Sequence, residues 1–256
     1  MENIAEMRIW RYMDLARFIS LLVTESLYFA CPLSFHDPYE GLLPKSHIDA
    51  NAVALAPMVK DIISLKNQLA YQFADSIDLR HLDAKINSLT PLGASREASR
   101  EYVVCCWHIS EYESEAMWKI YSPSGQGIAI ESTVEQLRLS LDNIKGLIID
   151  SVRYMDFDKA AIEKGHKHYV LFLKRKSFEY ERELRAILHL PKRKEVEGDY
   201  IKCNLNTLIT NIHISPFAPA YFRNVVETLC LGKLRSLDKP VIPSQRYIKS
   251  NYGIKT

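Results

Sequence analysis

The apolar positions near the start of the chain change period twice, which predicts a strand, a helix and a second strand within thirty residues. The helical spacing i, i+3, i+4, i+7 is carried by Leu15, Phe18, Ile19 and Leu22. Asp14 stands directly before them, where an N-cap residue accepts a hydrogen bond from the first turn. Further along, Ser132 with Glu135 has the spacing of a capping box and predicts another helix start.

Later apolar runs are mostly strand-like. Residues 102–109, YVVCCWHI, form a continuous apolar run of the kind found in strands buried on both faces. Residues 46–100 are helical in pattern, with few glycines, and predict a helical insertion that could close over a ligand; a further helix is expected at 159–176. The strands cluster and do not alternate strictly with helices, so we predict one α+β domain over residues 1–256 with a mixed, largely antiparallel sheet.

Composition adds limits on location and partners. The 33 basic residues nearly balance the 31 acidic ones, so the net charge of +2 gives no overall field for nucleic acid or an anionic membrane. The five cysteines include no C-x-x-C pair, as expected of free thiols in a reducing compartment. The first residues are acidic where a signal peptide is basic, and no apolar run reaches the length of a membrane span. We therefore expect a cytoplasmic protein with no membrane partner; its oligomeric state is left open.

Residues 177–188, SFEYERELRAIL, place several charges at the entrance of an apolar strand. In an extended chain Glu181 and Glu183 project from the same face, so both carboxylates could face one cleft and divide the work of stabilising charge and orienting a nucleophile. The alternative is a salt-bridged edge strand, whose charged residues pair with one another or with Lys174 to Lys176: Glu179, Glu181, Arg182, Glu183 and Arg185. Arg185 could anchor the strand by pairing with a buried carboxylate, Asp37 or Glu40.

Several common catalytic signatures are missing, including those of P-loop enzymes, Rossmann dinucleotide-binding domains, zinc proteases and serine hydrolases. His166 and His168 are two residues apart on the predicted helix and point to different faces, so no metal is predicted there. His36 and Asp37, in a turn closed by Glu40, are the remaining candidates for a general-base or metal site, although Asp before Pro is commonly structural.

Five stretches together resemble the bacterial family catalogued as domain of unknown function 2971. They are IWRYMD, LYFACPLSFHDPYEG, MWKIYSPSGQGIAIES, FLKRKSFEYERELRAIL and ISPFAPAYF, spread over nearly the whole chain. One departure is His36, where the family's turn commonly has Asn. The family is defined by its sequence pattern, so this resemblance does not name a reaction.

The order of parts also resembles ADP-ribosyltransferase-type domains, in which an early Arg or His holds NAD+, a central Ser or Tyr supports the nicotinamide pocket and a late E-x-E supplies the catalytic acid. This resemblance implies a split-sheet fold and NAD+ as substrate. The catalytic residues would be Glu183, Glu181 and Tyr121, and the NAD+-binding residues Arg11, Tyr12 and Trp118. The carboxylate of Glu183 would stabilise the positive charge that develops on the ribose.

Three classes of function follow. The first is an NAD+-using ADP-ribosyltransferase or glycohydrolase, a candidate phage-defence or toxin effector whose acceptor is a protein or nucleic acid; it predicts that Arg11, Tyr121 and Glu183 converge. The second is a non-enzymatic binding or scaffold module, in which the same charges form closed salt bridges. The third is a metal-dependent nuclease, which needs a carboxylate cluster able to hold Mg²⁺.

Overall fold

The structure of the protein is a computed structural model that describes residues 4–72, 80, 83, 86–87, 90–159, 169–193, 197–233 and 239–243. The strands in these residues are β1 (Arg8–Asp14), β2 (Ser26–Phe29), β3 (Tyr102–Ile109), β4 (Gly127–Thr133), β5 (Ile148–Ser151), β6 (Arg153–Met155), β7 (Leu173–Arg175), β8 (Glu183–His189), β9 (Asp199–Lys202), β10 (Asn211–Ile214) and β11 (Val241–Pro243). The α-helices are α1 (Leu15–Thr24), α2 (Lys45–Gln72), α3 (Pro91–Arg100), α4 (Glu115–Tyr121), α5 (Val134–Ser140), α6 (Leu205–Leu208) and α7 (Ala220–Lys233). Short 3-10 helices cover Ile4–Glu6, Pro32–Ser34, Tyr169–Phe172 and Lys176–Glu181.

A seven-stranded sheet forms the centre of the fold, in the order β11-β10-β4-β1-β3-β8-β5. Its neighbouring strands pair antiparallel, except β10 and β11, which are parallel. Two small sheets, β2-β9 and β6-β7, flank it. The predicted α+β class with a mixed, largely antiparallel sheet is confirmed.

The two faces of the large sheet differ in chemistry because side chains alternate along each strand. One face packs against α1, α5, α6 and α7 in the main apolar core, where Phe18, Trp107 and Phe222 are almost completely buried. Burying a large apolar side chain of this kind contributes about 1.5–3 kcal/mol. The opposite face carries smaller apolar clusters and most of the buried charge, and we call it the polar face.

Local signals place the helix starts to within one residue. Asp14 accepts a hydrogen bond from the backbone N–H of Arg17 at 2.8 Å and caps α1, as predicted. The capping box of α5 is formed by Thr133 and Gln136, one residue later than predicted from Ser132 and Glu135. Ser132 is part of β4, and its hydroxyl donates instead to the carbonyl of Leu208.

Two longer predictions fare differently. The described parts of residues 46–100 are largely helical, in α2 and α3, as the pattern indicated. The helix expected over 159–176 is wrong for its last eight residues, which form a 3-10 turn, the strand β7 and the start of another 3-10 helix. Residues 160–168, including His166 and His168, lie outside the described residues. The buried positions Leu171, Phe172 and Leu173 are consecutive, which a one-sided helix does not explain.

Candidate functional site

A row of polar and aromatic side chains crosses the polar face. Directly paired positions place Asn211 opposite Glu131, Glu131 opposite Trp10, Trp10 opposite His108 and His108 opposite Glu183. Residues that face each other across a ladder project from the same side of the sheet, so these five share one face. The row therefore brings two buried glutamates, Glu131 and Glu183, onto the same surface.

Glu183 and Arg185 form a buried ion pair at the start of β8. Arg185 Nε lies 2.9 Å from Glu183 Oε1, and Arg185 Nη2 lies 3.1 Å from Glu183 Oε2. The same guanidinium, which is 0% exposed, also donates to Glu40 and to the carbonyl of Leu171. Arg185 thus joins β8 to the Asp-Pro-Tyr-Glu turn, as the sequence predicted, through Glu40.

Lys174 supplies a second cation to the same place. Its Nζ lies 3.0 Å from Glu183 Oε2 and also donates to Glu181. We call the group of Glu40, Lys174, Glu181, Glu183 and Arg185 the ion cluster. It contains three carboxylates and two cations, almost entirely removed from solvent.

These neighbours set the protonation of the cluster. Burial by itself would raise the pKa of Glu183, but Arg185 and Lys174 outweigh it and lower that pKa to about 2. Burial opposes the charge of Lys174 as well, yet the pKa of its ammonium is raised by Glu183 and Glu181. Burial raises the pKa of Glu40 despite its bond to Arg185. Glu183 is therefore ionised at neutral pH, whereas burial favours the protonated form of Glu40.

Arg182 separates the two glutamates and has a left-handed backbone, with φ of 41°. Glu181 is the last residue of a 3-10 helix and Glu183 the first of a strand, so the extended segment predicted for this pair is wrong. Both carboxylates nevertheless reach Lys174, across the single left-handed residue between them. The E-x-E pair converges through a turn, not through strand alternation.

His108 and Tyr121 stand beside the ion cluster. His108 Nδ1 lies 2.6 Å from the backbone carbonyl of Glu181, so this nitrogen carries the proton and Nε2 remains an acceptor. Burial lowers the pKa of His108, which keeps the ring neutral near pH 7. Tyr121 is 41% exposed, and partial burial raises the pKa of its phenol, with further contributions from the charges of Cys106, Glu181 and Glu183. The charges of both glutamates thus act on the phenol of Tyr121, and its catalytic role stays a prediction.

Tyr154, on β6, contacts the start of β8. Its hydroxyl accepts a hydrogen bond from the backbone N–H of Glu183 at 2.8 Å. Sequence patterns did not single out His108 or Tyr154; His108 is the one polar residue near the end of an otherwise apolar run. Lys174 was named only as a salt-bridge partner of this segment, and that pairing is present although Lys174 lies in a strand and not in the predicted helix.

Arg11 does not join this site, and its predicted role beside Glu183 is wrong for this structure. It lies on the opposite face of β1, where Nη1 contacts Cys105 Sγ at 2.7 Å and Nη2 donates to the carbonyl of Tyr28 at 2.8 Å. The guanidinium also lies 5.9 Å from the ring centroid of Trp107. Side-chain alternation sends Arg11 away from the face that Tyr12 occupies.

Tyr12 and Trp118, the predicted stacking residues, lie on the correct face but are buried. Their rings meet edge to face at 4.9 Å between centroids. The Tyr12 hydroxyl accepts from the N–H of Ser114 at 2.7 Å, and Trp118 Nε1 donates to Glu113 at 3.0 Å. Both rings therefore pack α4 onto the sheet and present no open face for stacking.

Both carboxylates of the Asp-Pro-Tyr-Glu turn bind arginine side chains, one within the ion cluster and one outside it. Asp37 accepts two hydrogen bonds from Arg175, at 2.9 and 3.1 Å, and Glu40 binds Arg185. His36 is exposed beside them. Within the described ranges, no group of three or more His, Cys, Asp or Glu side chains could hold a metal ion, so the nuclease hypothesis has no ligand set there.

The other end of the polar row forms a second centre around Glu131. Its Oε2 accepts from Asn211 and lies 2.8 Å from His213 Nε2, and its Oε1 lies 3.2 Å from Arg8 Nε. Burial by itself would raise the pKa of Glu131, but the hydrogen bonds from His213 and Asn211 and the charge of Arg8 lower it. The ring of Trp10 lies 4.7 Å from that of His213. We call this group the Glu131 centre.

Comparison with protein-family models, curated proteins and solved structures finds no match. The resemblances drawn from sequence stretches therefore stay predictions, and the chemistry of this chain is argued from its own residues. Of the helices in the described part of the chain, none has the length and apolar character needed to cross a membrane.

Proposed function

We propose that this chain is an ADP-ribosyltransferase-type enzyme that cleaves the bond between nicotinamide and ribose in NAD+, with Glu183 as the fixed carboxylate. One observation carries the proposal: Arg185 and Lys174 hold the pKa of Glu183 at about 2, beside His108 and the partly exposed Tyr121. A carboxylate that stays ionised and does not reorganise is suited to stabilising positive charge that develops in a transition state.

The proposed reaction needs no metal and no oxidant or reductant. The bond between C1′ of the ribose and the nicotinamide nitrogen breaks, and both electrons leave with neutral nicotinamide. The positive charge that develops on the ribose is stabilised by Glu183. Water, or a hydroxyl of a protein or nucleic-acid acceptor, then attacks C1′ and gives its proton to Nε2 of His108.

One residue joins the assignments made from sequence. His108 acts as the proton acceptor, because it is on the same face as Glu183 and directly opposite it in the ladder. Tyr121, which is partly exposed, keeps in this proposal the role assigned to it from sequence. Only 5% of Glu183 is exposed, so in this proposal Lys174 moves aside when the ribose arrives.

A second candidate is the binding or scaffold module, and the closed pairing of the ion cluster favours it. Every charged group of the cluster already contacts an opposite charge: Glu40, Lys174, Glu181, Glu183 and Arg185. In that case the cluster only fixes β8 and its neighbours, and the protein consumes no NAD+.

The test is nicotinamide release from NAD+ by purified protein, with and without cell lysate or DNA as a source of acceptors. We expect release by the wild type and by Glu131→Gln, a matched control on the same row, and loss of release in Glu183→Gln. Tyr121→Phe gives a second test that does not disturb the ion cluster, and we expect a lower rate with an unchanged melting temperature. Absence of release from the wild type under all conditions would favour the scaffold module.

A further inference from the structure

Arg182 differs from the cations around it because it is exposed. Lys174 is 9% exposed and Arg185 is 0% exposed, and both are occupied by carboxylates of the ion cluster. Arg182 lies between Glu181 and Glu183 in sequence, at the outer edge of the same cluster. No ion pair involving Arg182 occurs among the described residues, so its guanidinium is available to a ligand.

The backbone at Arg182 is fixed in a conformation that favours glycine. Its N–H donates to the carbonyl of Glu179 at 3.2 Å, and its carbonyl accepts from the N–H of Ile109 at 2.8 Å. With φ of 41° the residue lies in the left-handed region, where a side chain adds strain that glycine avoids. Strained residues of this kind concentrate at functional sites, and here the turn itself does not require arginine.

The backbone of Arg182 adjoins the place where the proposed reaction occurs. Its carbonyl accepts from the N–H of Ile109, the residue after His108, and the next residue in the chain is Glu183. His108 is in turn directly opposite Glu183 in the ladder. An anionic ligand that approached Glu183 would therefore pass close to Arg182.

Charge balance explains why a ligand would need this residue. When all three carboxylates of the ion cluster are ionised, they exceed its two cations by one charge, which opposes the approach of a diphosphate. Arg11, the cation assigned to the diphosphate from sequence, is on the opposite face and cannot offset that repulsion. Arg182 is an exposed cation next to both Glu181 and Glu183 in sequence, and it has no ion pair among the described residues.

We propose that Arg182 binds the diphosphate of a dinucleotide substrate and places the adjoining ribose against Glu183. The guanidinium fork can donate two parallel hydrogen bonds to phosphate oxygens, which a lysine cannot reproduce. This inference rests on the proposed function for its substrate, whereas the anion site itself is tested separately. Arg182 acts as a binding residue and takes no part in bond breaking.

The experiment measures binding of ADP and of inorganic pyrophosphate by calorimetry, together with the KM and kcat for NAD+. Arg182→Gly removes the side chain and leaves a residue that accepts the left-handed backbone, so the fold is not weakened. We expect it to weaken ADP binding roughly tenfold to a hundredfold and to raise KM with little change in kcat. Arg182→Lys should recover part of the affinity.

Lys192→Gly is a matched control. Lys192 is also an exposed cation with a left-handed backbone, φ 68°, but it lies beyond the far end of β8. We expect this variant to bind ADP as the wild type does. An equal loss of ADP affinity in Arg182→Gly and Lys192→Gly would show a general effect of net charge and would overturn the assignment of the anion site to Arg182.

The two proposals fail in different ways. If the wild type cleaves NAD+ and Arg182→Gly keeps its KM and ADP affinity, the inference is wrong and the proposed function stands. If the wild type releases no nicotinamide but binds ADP through Arg182, the proposed function is wrong and the anion site stands. A wild type that binds neither ADP nor pyrophosphate would overturn the anion site.

Discussion

Two buried glutamates lie in one row of the sheet, three strands apart, and their charges are balanced in different ways. Glu183 is held by Arg185 and Lys174, two cations that are themselves buried. Glu131 is held by His213, an asparagine and an arginine whose side chain is 45% exposed. The strand spacing puts the two carboxylates roughly 14 Å apart, so each balance is set locally.

At both glutamates, desolvation raises the pKa of the carboxyl and the neighbouring groups lower it. Both glutamates are at most 7% exposed, yet the pKa of each is lowered because its partners outweigh desolvation. At Glu183 these partners are permanent charges, and removing one leaves a buried charge without compensation. At Glu131 two of the three partners are an amide and an imidazole. Mutating Glu131 should therefore lower the free energy of unfolding by about as much as the loss of a hydrogen bond.

The largest difference should come from removing the shared cation of the ion cluster. Arg185→Met leaves Glu40 and Glu183 buried without their common partner, and we expect a loss of about 3–5 kcal/mol in the free energy of unfolding by urea. Adding Glu40→Gln and Glu183→Gln to the same chain should recover part of that loss. A decrease below about 1 kcal/mol in the single variant would contradict a charge-based account of the cluster.

The next prediction concerns acid. The pKa of Glu183 in the folded state, about 2, is below its ordinary value of 4.5, so its contribution is complete above pH 4.5 and is lost as the pH falls toward 2. We expect this group to account for about 3 kcal/mol of the acid-dependent stability, partly offset by protonation of Glu40, whose pKa is raised.

Unfolding by urea measured between pH 5 and pH 2 checks this prediction. Glu183→Gln should be less stable than the wild type at pH 5, and its stability should fall less steeply with acid. Parallel pH curves for the two proteins would show that Glu183 does not carry the charge assigned to it.

A smaller effect is expected at the Glu131 centre. Glu131→Gln keeps the shape and one acceptor oxygen for Asn211 and His213, so we expect a loss of about 1–2 kcal/mol at pH 7. The sign of the acid effect is the same as for Glu183, because the pKa of Glu131 is also lowered and its contribution is lost as the pH falls. If Glu131→Gln lowered the free energy of unfolding as much as Glu183→Gln does, the two centres would not differ in how their charge is balanced.

The smallest effect sets the baseline for both centres. Glu115 and Lys119 form an i, i+4 pair on α4 at 2.9 Å, with both side chains exposed. We expect Glu115→Gln to change the unfolding free energy by less than about 0.5 kcal/mol, and to lose even that in 0.5 M salt. A larger change would mean that exposed pairs also stabilise this fold.

Much of the fold could be predicted because it depends on local periodicity. The run at 102–109 became β3 with the same bounds, and Asp14 caps α1 through the atom expected of an N-cap. The segment at 169–176 could not be predicted, since three consecutive buried residues reflect contacts on both sides of the chain. That segment contains Lys174, which the sequence offered as a salt-bridge partner but placed on a helix and not on the strand that brings it to Glu183.

The order of residues along the chain was enough to predict the residue types that enter the site: an E-x-E-x-R segment and a turn with two carboxylates, Asp37 and Glu40, either of which could pair with Arg185. The choice between two neighbouring residues at the site depended on how the strands pair. Alternation places Arg11 and Tyr12 on opposite faces of β1, but the partner strands fix which face meets Glu183. The left-handed turn at Arg182 and the arrival of Lys174 were likewise decided by packing, because both depend on contacts between segments that local sequence patterns do not encode.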